Sequence, residues 1–362
     1  MNVILGLIFH SVGGFASGSF YIPYKKVRGW NWESFWIVGG LFSWLIVPPI
    51  AAYLTIPGFQ EIIKNSENSV FQLTYMFGIL WGIGGLTYGL GVRYLGVALG
   101  GSIILGLSMV IGSILPSIYY DIYQVEGKET FSQMISNKSG LTVLAGLLVC
   151  VIGIITSGKA GIMKEKELGE GKVVENPEDK ANEYKFGLGL IVAIISGILS
   201  ACFNFGLEAG QSMSMVANEE WKIANPGMGE FLYRNNVIYI VILWGGLTTN
   251  FIWCMILNFR NKSFSDYTNS KTPLFKNYLF STLAGTTWFL QFFFYGMGES
   301  KLGNGASSWI LHMATIIITS NLWGLYFKEW QGVSKNTMRT IILGILIILG
   351  SVLIVGYGNS LK

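Results

Sequence analysis

The sequence predicts an all-α integral membrane protein with ten transmembrane helices in two inverted five-helix repeats. Three observations predict it. Hydrophobic residues make up 51% of the 362 residues and charged residues only 12%, about half of the ~25% charge in a soluble domain. The apolar residues fall in runs close to the ~20 needed to cross a bilayer core as a helix. A segment of the first half also recurs in the second half, in a position that reverses its direction across the membrane.

The runs follow in order. Residues 3–24 form the first, and Lys25, Lys26 and Arg28 behind it mark a retained span rather than a cleaved signal peptide. Spans at 35–57, 71–91, 97–120 and 141–158 complete a first repeat at 1–158. Residues 159–185 are rich in Lys, Glu and Gly and read as a solvated cytoplasmic linker. Spans at 186–208, 236–258, 276–298, 305–326 and 340–358 make a second repeat at 186–362. The 47 glycines read as helix-packing residues, because small side chains let membrane helices approach closely. Cys150, Cys202 and Cys254 each lie inside a span and have no metal-ligand spacing. Most of the 24 Lys and Arg fall in the loops after the odd-numbered spans. The positive-inside rule then puts those loops in the cytoplasm and both termini outside. Glu33 and the Lys25–Lys26 pair read as cytoplasmic surface, Trp30, Trp32 and Trp330 as interfacial anchors, and Glu208 and Glu299 as solvated span ends.

The repeat has an offset of 207 residues, from Gly78 to Gly285. It pairs Gly78 with Gly285, Trp81 with Trp288, Tyr88 with Tyr295, Gly89 with Gly296, Gly91 with Gly298, Leu95 with Leu302 and Gly96 with Gly303. A weaker match pairs Gly14, Ser17 and Phe20 with Gly197, Ser200 and Phe203. The matched segments are the third and eighth spans, an odd number apart, so the copies are antiparallel. Inverted repeats are common in secondary transporters, with the substrate near the midplane. Channels and neutral duplications also contain repeats, and transport is the favoured reading.

Polar groups inside a span are expensive unless they face protein or a wet cavity. Trp288, Gln291, Tyr295 and Glu299 share one helix face, as do Ser308, His312, Thr315 and Thr319, with Trp309 beside them. His10, Ser17, Tyr21 and Tyr24 keep that rhythm in the first span, and Ser196, Ser200, Asn204 and Glu208 approximately in the sixth. A cavity lined by Trp81, Tyr88, Asn204, Trp288, Gln291, Tyr295, Trp309 and Tyr21 suits a small polyhydroxylated or zwitterionic solute. Ring faces cover C–H surfaces and amides take hydroxyls. It suits a phosphate poorly, since no intramembrane cluster of Arg or Lys accompanies it. Interfacial anchoring is the competing reading for the Trp and Tyr. There are two histidines. His312, well inside the ninth span, can titrate between a mildly acidic exterior and a neutral cytoplasm, and its repeat counterpart is Leu105. His10 is the second proton-coupling candidate. The competing reading for His312 is a neutral ring bonded to a helix neighbour such as Ser308. No metal site, cofactor, nucleic-acid surface or arrangement of nucleophile, base and orienter is evident. The glycine-rich string at 82–91 lacks the strand and helix that a phosphate cradle needs.

FYIPYKKVRGWNWESFW (Phe20–Trp36), WGIGGLTYGLGVRYLG (Trp81–Gly96), WFLQFFFYGMGESKLG (Trp288–Gly303), SWILHM (Ser308–Met313) and KEW (Lys328–Trp330) resemble the motifs of the L-rhamnose–proton symporter family. That family is a branch of the drug/metabolite transporter superfamily. The motifs keep their order over nearly the whole chain. The resemblance implies a multi-pass inner-membrane carrier, not an enzyme, that imports L-rhamnose or a similar neutral sugar with a proton as coupling ion. It carries His10, Lys25, Lys26, Trp81, Tyr88, Arg93, Trp288, Gln291, Tyr295, Trp309 and His312 onto matching positions. Residues 85–87 and 304–307 depart from the pattern, which bears on the substrate more than on the fold. A metabolite or drug exporter of the same superfamily is the alternative. A membrane sugar sensor ranks lower, because no soluble signalling segment is present.

Overall fold

The computed structural model describes residues 2–95, 97–125, 127–168 and 186–361, and among them it is helical without strands. Helix α1 (Asn2–Ser19) continues after one residue as Tyr21–Tyr24. Next come α2 (Trp32–Thr55), α3 (Asn68–Leu95), α4 (Val97–Tyr123), α5 (Lys138–Leu168) and α6 (Phe186–Ala209). A shorter helix, α7 (Gln211–Ala224), precedes α8 (Asn236–Asn261), α9 (Leu274–Leu302), α10 (Gly305–Tyr326) and α11 (Lys335–Ser360).

Eight of these helices are long and apolar enough to cross a membrane: α1 with its continuation, α2 to α6, α8 and α11. At 26 residues, α8 reaches ~39 Å at ~1.5 Å per residue, enough for a hydrocarbon core of ~30 Å. Tyr53, Leu54, Leu148, Ile155, Phe259 and Leu353 are more than half exposed, as suits side chains that meet lipid. The long helices α9 and α10 are not among these eight and carry buried polar side chains, including Gln291, Glu299, Ser308 and His312.

The chain forms two compact units, each drawing residues from both halves of the sequence. Unit 1 is Met1–Ile83 with Cys202–Gly303, and unit 2 is Gly84–Ala201 with Asn304–Lys362. The chain passes from one unit to the other inside α3, inside α6 and between α9 and α10.

In unit 1, α1 runs along α9, with Gly298 clearing space for His10. Gly285 of α9 lies against the backbone of Gly39 in α2, and Gly78 of α3 lies against α8 at Ile242–Gly245. Helix α2 widens into a π-helical turn at Leu41–Ile46 just before Pro48 and Pro49. Neither proline can donate a backbone hydrogen bond to the preceding turn, so the ladder loosens there. That wide turn carries Trp44, which is buried.

Two surface expectations are corrected in unit 1. Glu33 is buried; its carboxylate accepts Ser263 Oγ at 2.6 Å and Asn261 Nδ2 at 3.1 Å. Those donors satisfy it in place of water. Trp30 is also buried, edge-on to Tyr278 at 4.9 Å and to Tyr267 at 5.9 Å. Lys25 and Lys26 are exposed. Near them Asp266 holds the start of α2, accepting Asn31 N at 2.8 Å and Ser34 Oγ at 2.8 Å.

In unit 2, α5 and α11 pack closely, with Gly153 and Gly344 each facing the other's backbone. Helix α5 continues past 158, where the sequence places the end of the fifth span, to Leu168. The cause is visible in Glu167, whose carboxylate accepts Ser334 N at 2.6 Å, Ser334 Oγ at 2.7 Å and Thr337 Oγ at 2.6 Å. An anion at the N-terminus of α11 is favourable there and anchors the last turn of α5. Trp330 is buried beneath Lys164 Nζ, 4.9 Å from its ring, rather than spread at an interface. The remainder of the expected linker, residues 169–185, lies outside the described residues, as does the side chain of Arg93. The three cysteines are buried.

Candidate functional site

Unit 1 gathers most of the expected site residues around α9. Trp288, supplied by α9, and Trp81, supplied by α3, meet with ring centroids 5.6 Å apart at an interplanar angle of 33°. Trp44 stands edge-on to Trp288 at 5.8 Å. Phe292 lies one turn along from Trp288 at 4.9 Å and stacks on Phe203 at 4.1 Å. Trp81 and Trp288 are half-buried, whereas Trp44, Phe203 and Phe292 are buried. The result is an aromatic platform with two indoles partly open. Trp81 reaches this position because Gly246 of α8 has no side chain to obstruct its ring.

A polar layer lies further along α9. Gln291 is buried, and its Nε2 donates to Trp288 O at 2.9 Å. Tyr295 is buried and edge-on to His10, with ring centroids 5.3 Å apart. A side chain at Gly298 would place its Cβ 2.7 Å from His10 Nε2, so the glycine admits the imidazole between α1 and α9. Glu299 is only 7% exposed, which corrects its reading as a solvated span end. It accepts a short hydrogen bond from Asn235 Nδ2 and lies 4.0 Å from Arg234 Nη2. Asn204 is buried on α6. Tyr21 is 43% exposed, and its ring contacts are Phe20 and Tyr24 rather than the platform.

Unit 2 holds Tyr88, Trp309 and His312. The Trp309 indole donates to Ser108 O at 3.0 Å and lies over Gly112 of α4. His312 is 2% exposed on α10, near Thr315, whose hydroxyl donates to the His312 carbonyl at 2.9 Å. The Ser307 and Ser308 hydroxyls are buried without a hydrogen-bond partner among the described residues, so Ser308 does not hold the imidazole. Tyr88 packs against Leu95, Ile104 and Ala193. Among the described residues no group of acidic, His and Cys side chains could hold a metal ion.

Sequence reasoning missed Trp44, Phe203, Phe292, Tyr239 and Asn235. The proline pair after Trp44 was a usable signal for an irregular, function-bearing turn. The others look like ordinary lipid-facing or loop residues in sequence.

A multi-pass membrane protein with buried polar faces and a half-open aromatic platform has the features of a small-solute carrier. Comparison with known proteins is consistent with that class. Residues 1–361 match the family model described as L-rhamnose-proton symport protein (RhaT). A Yersinia pestis (strain Pestoides F) protein named L-rhamnose-proton symporter is 34% identical over 99% of this chain and 98% of its own length. A protein of that name from Pectobacterium carotovorum subsp. carotovorum is 33% identical over the same shares. One solved crystal structure aligns with a TM-score of 0.52 at 12% identity, over 96% of this chain and 97% of that one, a likeness of fold alone. The chain belongs to the L-rhamnose-proton symport protein family, and so to a family of transporters rather than enzymes.

Proposed function

We propose that this protein is a proton-coupled symporter that imports L-rhamnose or a similar neutral sugar across the inner membrane. The observation that carries the reading is the partly open pair of indoles, Trp81 and Trp288, in a chain whose family match spans nearly its full length. An indole face covers the C–H side of a pyranose, and a deoxyhexose methyl adds apolar surface for it. Gln291, Tyr295 and Asn204 supply hydroxyl partners on the same unit, with Tyr88, Trp309 and Tyr21 as further sugar-binding candidates. His312 carries the coupling proton, with His10 as the second candidate. A neutral sugar is concentrated only by coupling to an ion, at ~1.4 kcal/mol for each tenfold gradient.

The reading includes ten membrane-crossing helices, with α9 and α10 joining the eight apolar ones, in two inverted repeats. Buried polar faces on α9 and α10 support it, since such faces are tolerated in a span only against protein or water. The test is uptake of labelled L-rhamnose into proteoliposomes under an imposed pH gradient. Accumulation that follows the gradient is expected. Uptake that ignores the gradient, or counterflow restricted to unrelated metabolites as for an exporter, overturns it.

A further inference from the structure

We propose that Glu299 is a second proton-carrying residue, coupled to the sugar platform through Asn235, Tyr239 and Phe292. The proposal rests on the symport reading above and adds to it a carboxylate in unit 1.

The charges around Glu299 are arranged unevenly. Arg234 Nη1 is 2.7 Å from Glu230, and Lys222 Nζ is 2.5 Å from the same carboxylate. Arg234 is therefore already committed to Glu230, and its other nitrogen stays 4.0 Å from Glu299. With Glu299 ionised, the chain Lys222, Glu230, Arg234, Glu299 is neutral. With Glu299 protonated it carries one net positive charge. The carboxylate has a close neutral donor in Asn235 and, at 4.0 Å, a cation that it shares with Glu230. A carboxylate locked in a bidentate pair would hold one state.

Other polar groups meet the same stretch of α9. His10 of α1 lies over Gly298, and Asn235 and the Tyr239 hydroxyl of α8 lie over Gly296. Tyr295 is one turn back on α9 itself and Lys301 two residues ahead. Gain or loss of a proton at Glu299 thus changes the hydrogen bonding of a junction of α1, α8 and α9. That junction touches the platform: Tyr239 is 5.7 Å from Phe292 by ring centroids, and Phe292 is 4.9 Å from Trp288. A contiguous packed chain of this kind is a physical route by which protonation alters the surface offered to sugar.

The test uses the full chain in proteoliposomes, comparing wild type with Glu299→Gln and Glu299→Asp. For wild type, an inside-alkaline gradient of one pH unit drives accumulation and counterflow varies with external pH. For Glu299→Gln, the accumulation ratio falls at least fivefold and the remaining counterflow no longer varies with pH. Glu299→Asp keeps accumulation and shifts the pH midpoint of counterflow. Wild-type accumulation in Glu299→Gln overturns the proposal. If Glu299→Gln neither binds nor transports sugar, Glu299→Asp decides: an unshifted midpoint overturns the proposal, and a shifted one supports it. If wild type itself shows no proton-driven accumulation, the symport reading fails first, which separates the two failures.

Discussion

Replacing Gly285 with Ala should lower the thermal stability of the protein, and the cause is geometric. A Cβ at Gly285 would lie 2.7 Å from the carbonyl carbon of Gly39 and 2.9 Å from its Cα, with the carbonyl oxygen nearer still. These are backbone atoms, so relief requires α2 and α9 to separate. Overpacking of this kind costs about 1–3 kcal/mol. The better helix propensity of alanine offsets up to ~1 kcal/mol, leaving up to about 2 kcal/mol of net destabilisation. At the ~2–4 °C per kcal/mol of a mid-sized domain, the melting temperature in detergent should fall by up to about 8 °C. Gly350→Ala is the matched control, because a Cβ there meets nothing within 4 Å. It should leave the melting temperature unchanged or slightly higher. The 207-residue offset maps Gly285 onto Gly78, whose Cβ would lie 2.9 Å from the Ile242 carbonyl carbon and 3.1 Å from Gly245 Cα. Gly78→Ala should therefore fall with Gly285→Ala. Equal melting temperatures for Gly285→Ala and Gly350→Ala would refute the close-approach argument.

Three other predictions accompany it. Trp288→Ala removes one face of the platform and should raise the half-saturating L-rhamnose concentration in counterflow on the order of tenfold, equivalent to ~1.4 kcal/mol; an unchanged value places the sugar elsewhere. His312→Ala should hold the accumulation ratio near unity under a one-unit pH gradient, where wild type with one coupled proton approaches ~10; full accumulation removes His312 from the coupling role. Burial by itself raises the Glu230 carboxyl, but the hydrogen bond and charge of Lys222 with the charge of Arg234 outweigh it and hold the group below its usual value of 4.5. A depressed carboxyl stabilises the fold above that ordinary value and loses its contribution as pH falls through the lowered one. Wild type should therefore lose more stability than Glu230→Gln as pH falls below ~4.5, read as melting temperature against pH; parallel profiles refute it.

The helices were legible because lipid imposes long apolar runs, a strong and simple constraint. Their ends were less legible. Glu167 extends α5 because it meets Ser334 and Thr337, a contact between segments far apart in sequence. The polar face of α9 was readable from spacing, and the structure buries Gln291, Tyr295 and Glu299 along it. Burial of Glu33 and Glu299 was not readable, because each depends on donors from other segments: Ser263 and Asn261 for one, Asn235 for the other. Tyr21 shares its helix rhythm with His10 and Ser17, yet it is exposed beside Phe20. Phe20 keeps helical backbone angles and Tyr24 beyond it is buried, so spacing gave the shared face but not which of its residues a neighbour covers.

The repeat and the platform bear on each other. Trp81 and Trp288 are equivalent under the 207-residue offset, and their rings are in contact. Two residues exchanged by a two-fold operation can touch only if its axis passes close to both. The contact is therefore what an inverted repeat would produce at its own axis, where such carriers hold substrate. Gly78 and Gly285 behave alike as well, each letting a neighbouring helix approach. The titratable groups break the pattern. His312 corresponds to Leu105, Glu299 to Val92, and His10, by the weaker match of the first and sixth spans, to Ala193. The division suits symport. Under the symport proposal the paired indoles offer the sugar like aromatic surfaces, whereas the titratable groups lie outside the identities of the repeat.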